Sequence, residues 1–377
     1  MPAGGKVLLE EIKYACTARL GPLKAIAGSV FGANVKIMKN FYTSFIRSVI
    51  DYAAPVLINY SSKQIEKLEK VQNSAMRIIL GCPMQTRVVN MRLELGLCTL
   101  YERVHMLNAV SAIKVLRENR STLLQQRIKN GLCNLDFIKN KWLEITCRDL
   151  KLLNLDFTAK NNPATTCPWT EQKFAITIPE LPPKATQHPS LLKQLTLDNI
   201  HAITHRNPDI THIIFTDGSL QKNTGRAGSG MVVTDVEHNE LSTRTLRLHN
   251  WASTLQTEQL GILMALEYIY HQNINALIVC DSKSALLALN SIKPEHKILS
   301  YECKDWLRKI TNQNKTVHLL WTFSHVGLKM HDRADGLAKS ACQKPDVECL
   351  YGIPLRTFKS IITEDSLESL QNYTDNP

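Results

Sequence analysis

The sequence predicts an α/β fold, a mixed five-stranded sheet with flanking helices, preceded by a mainly α-helical domain. Three observations predict it. Residues 1–160 carry apolar residues at spacings of three and four. From about residue 210, short β-branched runs alternate with apolar helical stretches. Between the two regions, seven of the fifteen prolines fall within 161–209. At 377 residues, two or three domains are expected.

The helical half comes first. Asn40 to Tyr52 places Phe41, Phe45, Ile46, Val49 and Ile50 on helical spacing. Ser61 and Ser62 precede a run bearing Ile65, Leu68, Val71, Gln72, Ala75, Met76, Ile79 and Leu80, and Gly81 closes it. A third amphipathic stretch covers Leu100 to Leu116. Lys63, Lys67, Lys70 and Arg77 lie away from most of the apolar positions of the second run. The net charge of the chain is +11, and residues 1–160 hold 24 Lys/Arg against 12 Asp/Glu. Such a basic half suits a polyanion such as nucleic acid.

Residues 161–208 read as a Pro-rich linker, since proline removes a backbone donor and fixes φ, with one short helix near Leu191–Ile203. Residues 209–345 then give the order β-β-β-α-β-α-β-α. Thr211–Thr216, Gly228–Thr234 and Glu240–Leu248 form a meander, and Leu255–Gln272 is a helix apolar on most sides. Ala276–Cys280 is an apolar strand, and Ser282 caps a helix running through Leu289. Thr316–Thr322 is the last strand and Asp332–Cys342 the last helix. The tail, 346–377, is acidic, with two Lys/Arg against six Asp/Glu.

Composition excludes several classes. With 44% hydrophobic and 21% charged residues the chain is neither disordered nor fibrous. No apolar run reaches the roughly 18–20 residues of a membrane span. The start, Met1-Pro2-Ala3-Gly4-Gly5-Lys6, lacks the basic-then-apolar pattern of an export signal, so a cytoplasmic or nuclear, non-secreted protein is expected. None of the ten cysteines forms a Cys-x-x-Cys pair; reduced, mostly buried thiols are expected, not a zinc knuckle.

The acids carry the chemistry. Asp217 and Asp281 each end a strand, where carboxylates meet at the edge of an α/β sheet. Glu258 lies in the first turns of an otherwise buried helix, where a charge is costly unless paired or bound to a metal. Asp335 lies inside the last helix. Taken singly, each is ordinary, a turn residue or a solvated helix acid. Four converging acids would repel one another without counter-ions. Two divalent ions meet that need and suit phosphodiester chemistry.

Five pieces in order, Phe215-Thr216-Asp217-Gly218-Ser219, Glu258, Cys280-Asp281-Ser282, Ser324-His325-Val326-Gly327 and Arg333-Ala334-Asp335-Gly336-Leu337-Ala338-Lys339, resemble type 1 ribonuclease H over about residues 210–342. The resemblance is nearest to the RNase H domain of jockey-like non-LTR retrotransposons. Tyr42 through Tyr52-Ala53-Ala54-Pro55 and Leu68 through Arg77 resemble the thumb and connection part of their reverse transcriptases. The polymerase signature Tyr-x-Asp-Asp is missing, which points to a partial or 5′-truncated element unable to polymerise DNA.

The resemblance implies an RNase H-like fold and an endoribonuclease that cuts the RNA strand of an RNA/DNA hybrid. It implies that Asp217, Glu258, Asp281 and Asp335 hold two Mg²⁺ ions, with Mn²⁺ as a substitute. His325 would assist proton transfer or product release. Gly218 and Ser219, with Glu258, would read the 2′-OH groups of the RNA. Three departures stand out. Met330-His331 replaces the usual Gly-Asn. Asp332 rivals Asp335, although the Gly-Leu-Ala-Lys run after Asp335 favours the latter. Gly261 costs its helix about 1 kcal/mol against alanine, from decay or a packing need. Trp306 and Lys309 offer little in place of a basic, Trp-rich gripping insertion, so the basic residues of 1–160 are expected to supply grip on the hybrid. The alternative is an inert nucleic-acid-binding remnant. A related integrase or resolvase shares the fold, but the Thr-Asp-Gly-Ser turn and the His325 loop favour RNase H.

Overall fold

The computed structural model describes residues 4–28, 32–117, 122–135, 140–152, 174–180, 187–290, 298–349, 351, 353–354 and 356–361. Much of the 161–208 segment and most of the acidic tail therefore lie outside the described residues. The chain divides into two compact units, Met1–Phe157 with Phe358–Pro377, and Thr158–Thr357.

The first unit is helical. It comprises α1 (Gly4–Ala18), α2 (Leu20–Ala25), α3 (Val35–Phe41), α4 (Arg47–Leu57), α5 (Ser62–Leu80), α6 (Val88–Leu95), α7 (Leu100–Leu116), α8 (Leu123–Cys133) and α9 (Lys141–Leu152). A π-helical turn, Tyr42–Ile46, joins α3 to α4. Ser61 and Gln64 form a capping box that starts α5, and Gly81 ends it in the left-handed conformation that a Cβ disfavours. The face of α5 carrying Ile65, Leu68, Val71, Ala75, Met76 and Ile79 is buried, with α1, α6 and α7 packed on this helix. Gln72 is buried on that face and is satisfied: its amide accepts from Tyr42 Oη at 2.8 Å and donates to the Cys98 carbonyl at 2.9 Å. On the opposite face Lys63, Lys67 and Lys70 are exposed, and Lys67 reaches Glu10 at 2.6 Å.

The second unit is a mixed sheet between two layers of helix. Its elements are β1 (Phe174–Thr177), α10 (Pro189–Arg206), β2 (His212–Leu220), β3 (Ala227–Asp235), β4 (Glu240–Leu248), α11 (Thr254–Gln272), β5 (Ala276–Cys280), α12 (Lys283–Asn290), α13 (Ile298–Asn312), β6 (Val317–Trp321) and α14 (Lys329–Ala341). The strand order is β1-β6-β5-β2-β3-β4. The β2-β3-β4 part is an antiparallel meander, and β2, β5, β6 and β1 run parallel. The sheet therefore has six strands, not the five expected from sequence. The sixth is Phe174–Thr177, from the segment read as linker, which also supplies the 18-residue helix α10 in place of a short one. Phe174 and Ile176 pack on the core, so proline flanks this strand without interrupting it.

Alternation along the strands separates the two faces. Ile214, Met231, Val233, Ile278 and Leu319 pack against α11 and α13. Ile213, Phe215, Val232, Leu277, Val279 and Leu320 pack against α10 and α14. Small residues bring α14 close to the sheet: a Cβ on Gly230 would lie 2.6 Å from the Ala334 carbonyl, and one on Gly228 2.6 Å from Ala341 Cβ. No helix among the described residues is long and apolar enough to cross a membrane. The nine described cysteines are free thiols; five are buried, and Cys133 is exposed.

Candidate active site

Asp217 and Asp281 meet through strand register. Thr216 pairs with Cys280 where β2 and β5 run parallel, and each aspartate is the next residue. Both continue the parity of Phe215 and Val279, so they project on the α14 face. The Trp321 indole donates to the Asp281 carbonyl at 2.9 Å and fixes the backbone there. This is the carboxyl end of the parallel strands, where the sheet changes from parallel to antiparallel pairing.

Glu258 comes from the first turns of α11, which Ser253 and Gln256 start with a capping box. Because α11 lies directly on β2, the charges of Asp281 and Asp217 act on Glu258. A Cβ on Gly218 would stand 2.6 Å from the Glu258 nitrogen, and one on Gly261 3.2 Å from Thr216 Cβ. Gly261 thus answers a packing need. Gly225 takes a left-handed turn conformation (φ 66°) under the Trp251 ring.

Asp335, on α14, is half-buried and pairs with Lys339 at 2.7 Å. Its charge acts on both Asp217 and Glu258. Asp332, the rival, is exposed, and its charge acts on His331. His325 is exposed on the loop before α14, with φ 52°, and lies near enough to His331 to influence its charge.

Asp217 and Glu258 are only 7% and 6% exposed. Burial, reinforced by Asp281, pushes the Asp217 carboxyl up to about 7. Burial, followed by Asp281 and Asp217, raises Glu258 well above the ordinary carboxylate range. Two groups oppose these shifts. The Gly218 N–H donates to Asp217 Oδ1 at 2.7 Å and also favours the Glu258 anion, and the Lys339 ammonium favours the Asp217 anion. Glu258 Oε2 is buried with no hydrogen-bond partner. Leaving a buried acceptor unsatisfied costs about 1–3 kcal/mol.

These properties fit divalent cations. Glu258, Cys280 and Asp281 each offer an atom within 4.8 Å of the others. Burial and the neighbouring Glu258 and Asp281 hold the Cys280 thiol protonated, which leaves the carboxylates as donors for a hard ion.

One residue of this neighbourhood escapes the sequence reading as a site residue. His331, in the first turn of α14, is 4% exposed and sits 3.7 Å from Asp281 Oδ2. Neither ring nitrogen has a hydrogen-bond partner, and burial lowers its pKa. In the sequence it stands among Lys329, Asp332 and Arg333, whose polarity gives no sign of burial.

A family model described as RNase H matches residues 209–343. Solved structures similar to this chain are RNase H domains. The N-terminal RNase H domain of a Mycobacterium tuberculosis protein, fused to maltose-binding protein, is 20% identical with a TM-score of 0.30. That comparison covers 35% of this chain and 94% of that one. RNase H1 from the halophilic archaeon Halobacterium salinarum is 17% identical with a TM-score of 0.29, covering 34% and 96%. LC11-RNase H1, solved in complex with an RNA/DNA hybrid, is 20% identical with a TM-score of 0.29, covering 35% and 96%. No curated protein matches by sequence. Residues 209–343, which the RNase H family model matches, have a mixed α/β fold and are preceded by a helical region.

Proposed function

We propose that this protein is an endoribonuclease that hydrolyses the RNA strand of RNA/DNA hybrids. The observation that carries it is the convergence of buried Asp217 and Glu258 with Asp281 and Asp335 at one sheet edge of the RNase H domain. In this reading the four acids hold two divalent ions, Mg²⁺ or Mn²⁺. Such ions, when bound, stabilise charge on the phosphoryl oxygens and lower the pKa of water.

The chain's own residues do the rest. The Gly218 backbone and the Ser219 hydroxyl, at the mouth of β2, meet the 2′-OH groups that mark RNA. His325, exposed on its loop, gives a proton to the departing 3′ oxygen or helps the product leave. The exposed Lys63, Lys67 and Lys70 of α5 grip the phosphate backbone of the hybrid. The origin we infer is a jockey-like non-LTR retrotransposon, with the helical unit a thumb- and connection-like remnant acting in the cytoplasm or nucleus.

The test is incubation of the full chain with labelled hybrid, single-stranded RNA, double-stranded RNA and double-stranded DNA, with Mg²⁺ or EDTA. Cutting of the RNA strand of the hybrid alone, dependent on Mg²⁺, is the expected result. Binding of hybrid without any cutting by folded protein would favour the inert remnant.

A further inference from the structure

We propose that His331 is a nitrogen ligand of the divalent-ion site, shared with Asp281, and that it turns the site toward Mn²⁺ over Mg²⁺. This rests on the reading that the four acids bind divalent ions, and it adds a donor of a different kind.

Geometry sets His331 apart. Its imidazole is almost wholly buried, and Nε2 lies 3.7 Å from Asp281 Oδ2. That is beyond a hydrogen bond. A His–Asp hydrogen bond in this same chain looks different: His105 Nδ1 lies 2.7 Å from Asp149 Oδ2. Two atoms sharing one ion at bonds of about 2.1 Å stand between about 3 and 4.2 Å apart. The His331–Asp281 separation falls in that interval, and a buried imidazole with no hydrogen-bond partner gains one in an ion placed between them. Glu258 Oε2, also buried without a partner, shows that the acids too have donor capacity to spare.

Donor chemistry then selects the ion. Mg²⁺ is hard and keeps oxygen ligands. Imidazole suits first-row transition ions, and Mn²⁺ is the one of them also at home among carboxylates. A site of carboxylates with one imidazole therefore favours Mn²⁺ more than one of carboxylates alone.

The experiment uses the full chain with Mn²⁺ alone, read by electron spin-echo modulation, which detects nitrogen bound directly to the ion. Coupling to ¹⁴N, replaced by the ¹⁵N pattern on histidine labelling, is expected in the wild type. It should persist in His325→Ala and vanish in His331→Asn. In calorimetric titrations, His331→Asn should lower the Mn²⁺-over-Mg²⁺ affinity ratio roughly tenfold. Bound Mn²⁺ without nitrogen coupling, or coupling that survives His331→Asn, would overturn the proposal, as would failure of the wild type to bind Mn²⁺. The labelling result stands on the wild type alone should His331→Asn fail to fold. Nitrogen coupling in a protein that cuts no hybrid would leave this inference intact and count against the proposed activity. Hybrid cutting without coupling would do the reverse.

Discussion

Asp217 and Asp281 occupy equivalent places on adjacent parallel strands, each one residue beyond the Thr216–Cys280 pair. Their like charges act through a poorly solvated site, and Asp281 raises both Asp217 and Glu258. The arrangement opposes stability wherever these carboxylates are charged and uncompensated.

Asp281→Asn should therefore stabilise the metal-free protein. Removing one charge relieves Asp217 and Glu258 by about 1 kcal/mol, raising the melting temperature of this unit by roughly 2–4 °C. The same variant should lose most of the stabilisation that Mg²⁺ or Mn²⁺ gives the wild type. Thermal melts with and without cation check both statements. A metal-free variant less stable than the wild type would contradict the electrostatic account.

The pH dependence follows with a definite sign. The Asp217 carboxyl sits near 7 when folded, against about 4 when unfolded, so the folded state holds its proton more tightly. Stability of the metal-free protein should fall as pH rises from about 4 to about 7 and then level off, with Glu258 acting in the same sense. Divalent ions compete with those protons. The melting-temperature gain from Mg²⁺ should be larger at about pH 8 than at about pH 5.5.

Gly218→Ala probes the close approach of β2 and α11. Its φ is not in the left-handed region, so the cost is steric alone. The new Cβ would meet the Glu258 nitrogen and Thr257, forcing backbone to move at a cost of about 1–3 kcal/mol. The shift separates Asp217 from Glu258, so cation binding measured by calorimetry should weaken even where the variant stays folded.

The role of the helical unit is open to a salt titration. Replacing Lys63, Lys67 and Lys70 with alanine should weaken hybrid binding. It should also flatten the salt dependence, by a slope of about 0.9 for each phosphate no longer neutralised. Cleavage at saturating hybrid should be unaffected. Unchanged affinity and slope would remove α5 from the nucleic-acid surface.

Much of the site is legible in the sequence, for identifiable reasons. Asp217 and Asp281 close β-branched or apolar runs, and strands of a parallel sheet present their ends together. Glu258 stands out as a charge in a helix otherwise fit for burial, and α11 is buried over most of its first three turns. Strand β1 is hidden because four residues beside Pro179 carry too short a pattern, and its pairing with β6 joins Phe174 to the distant Val317. His331 is hidden because its burial comes from the packing of α14 on the sheet, while Lys329, Asp332 and Arg333 around it in the chain are polar. Gly261 looks costly in a helix, and only its approach to Thr216 explains it.

The most direct test of the central claim is cleavage of a hybrid with end-labelled RNA by the wild type and by Asp281→Asn, alongside hybrid binding by both. The account predicts Mg²⁺- or Mn²⁺-dependent cutting of RNA by the wild type, and cutting reduced to background in Asp281→Asn with hybrid binding retained. Equal cutting by the two proteins, or none by a folded wild type that binds hybrid and cation, would contradict it.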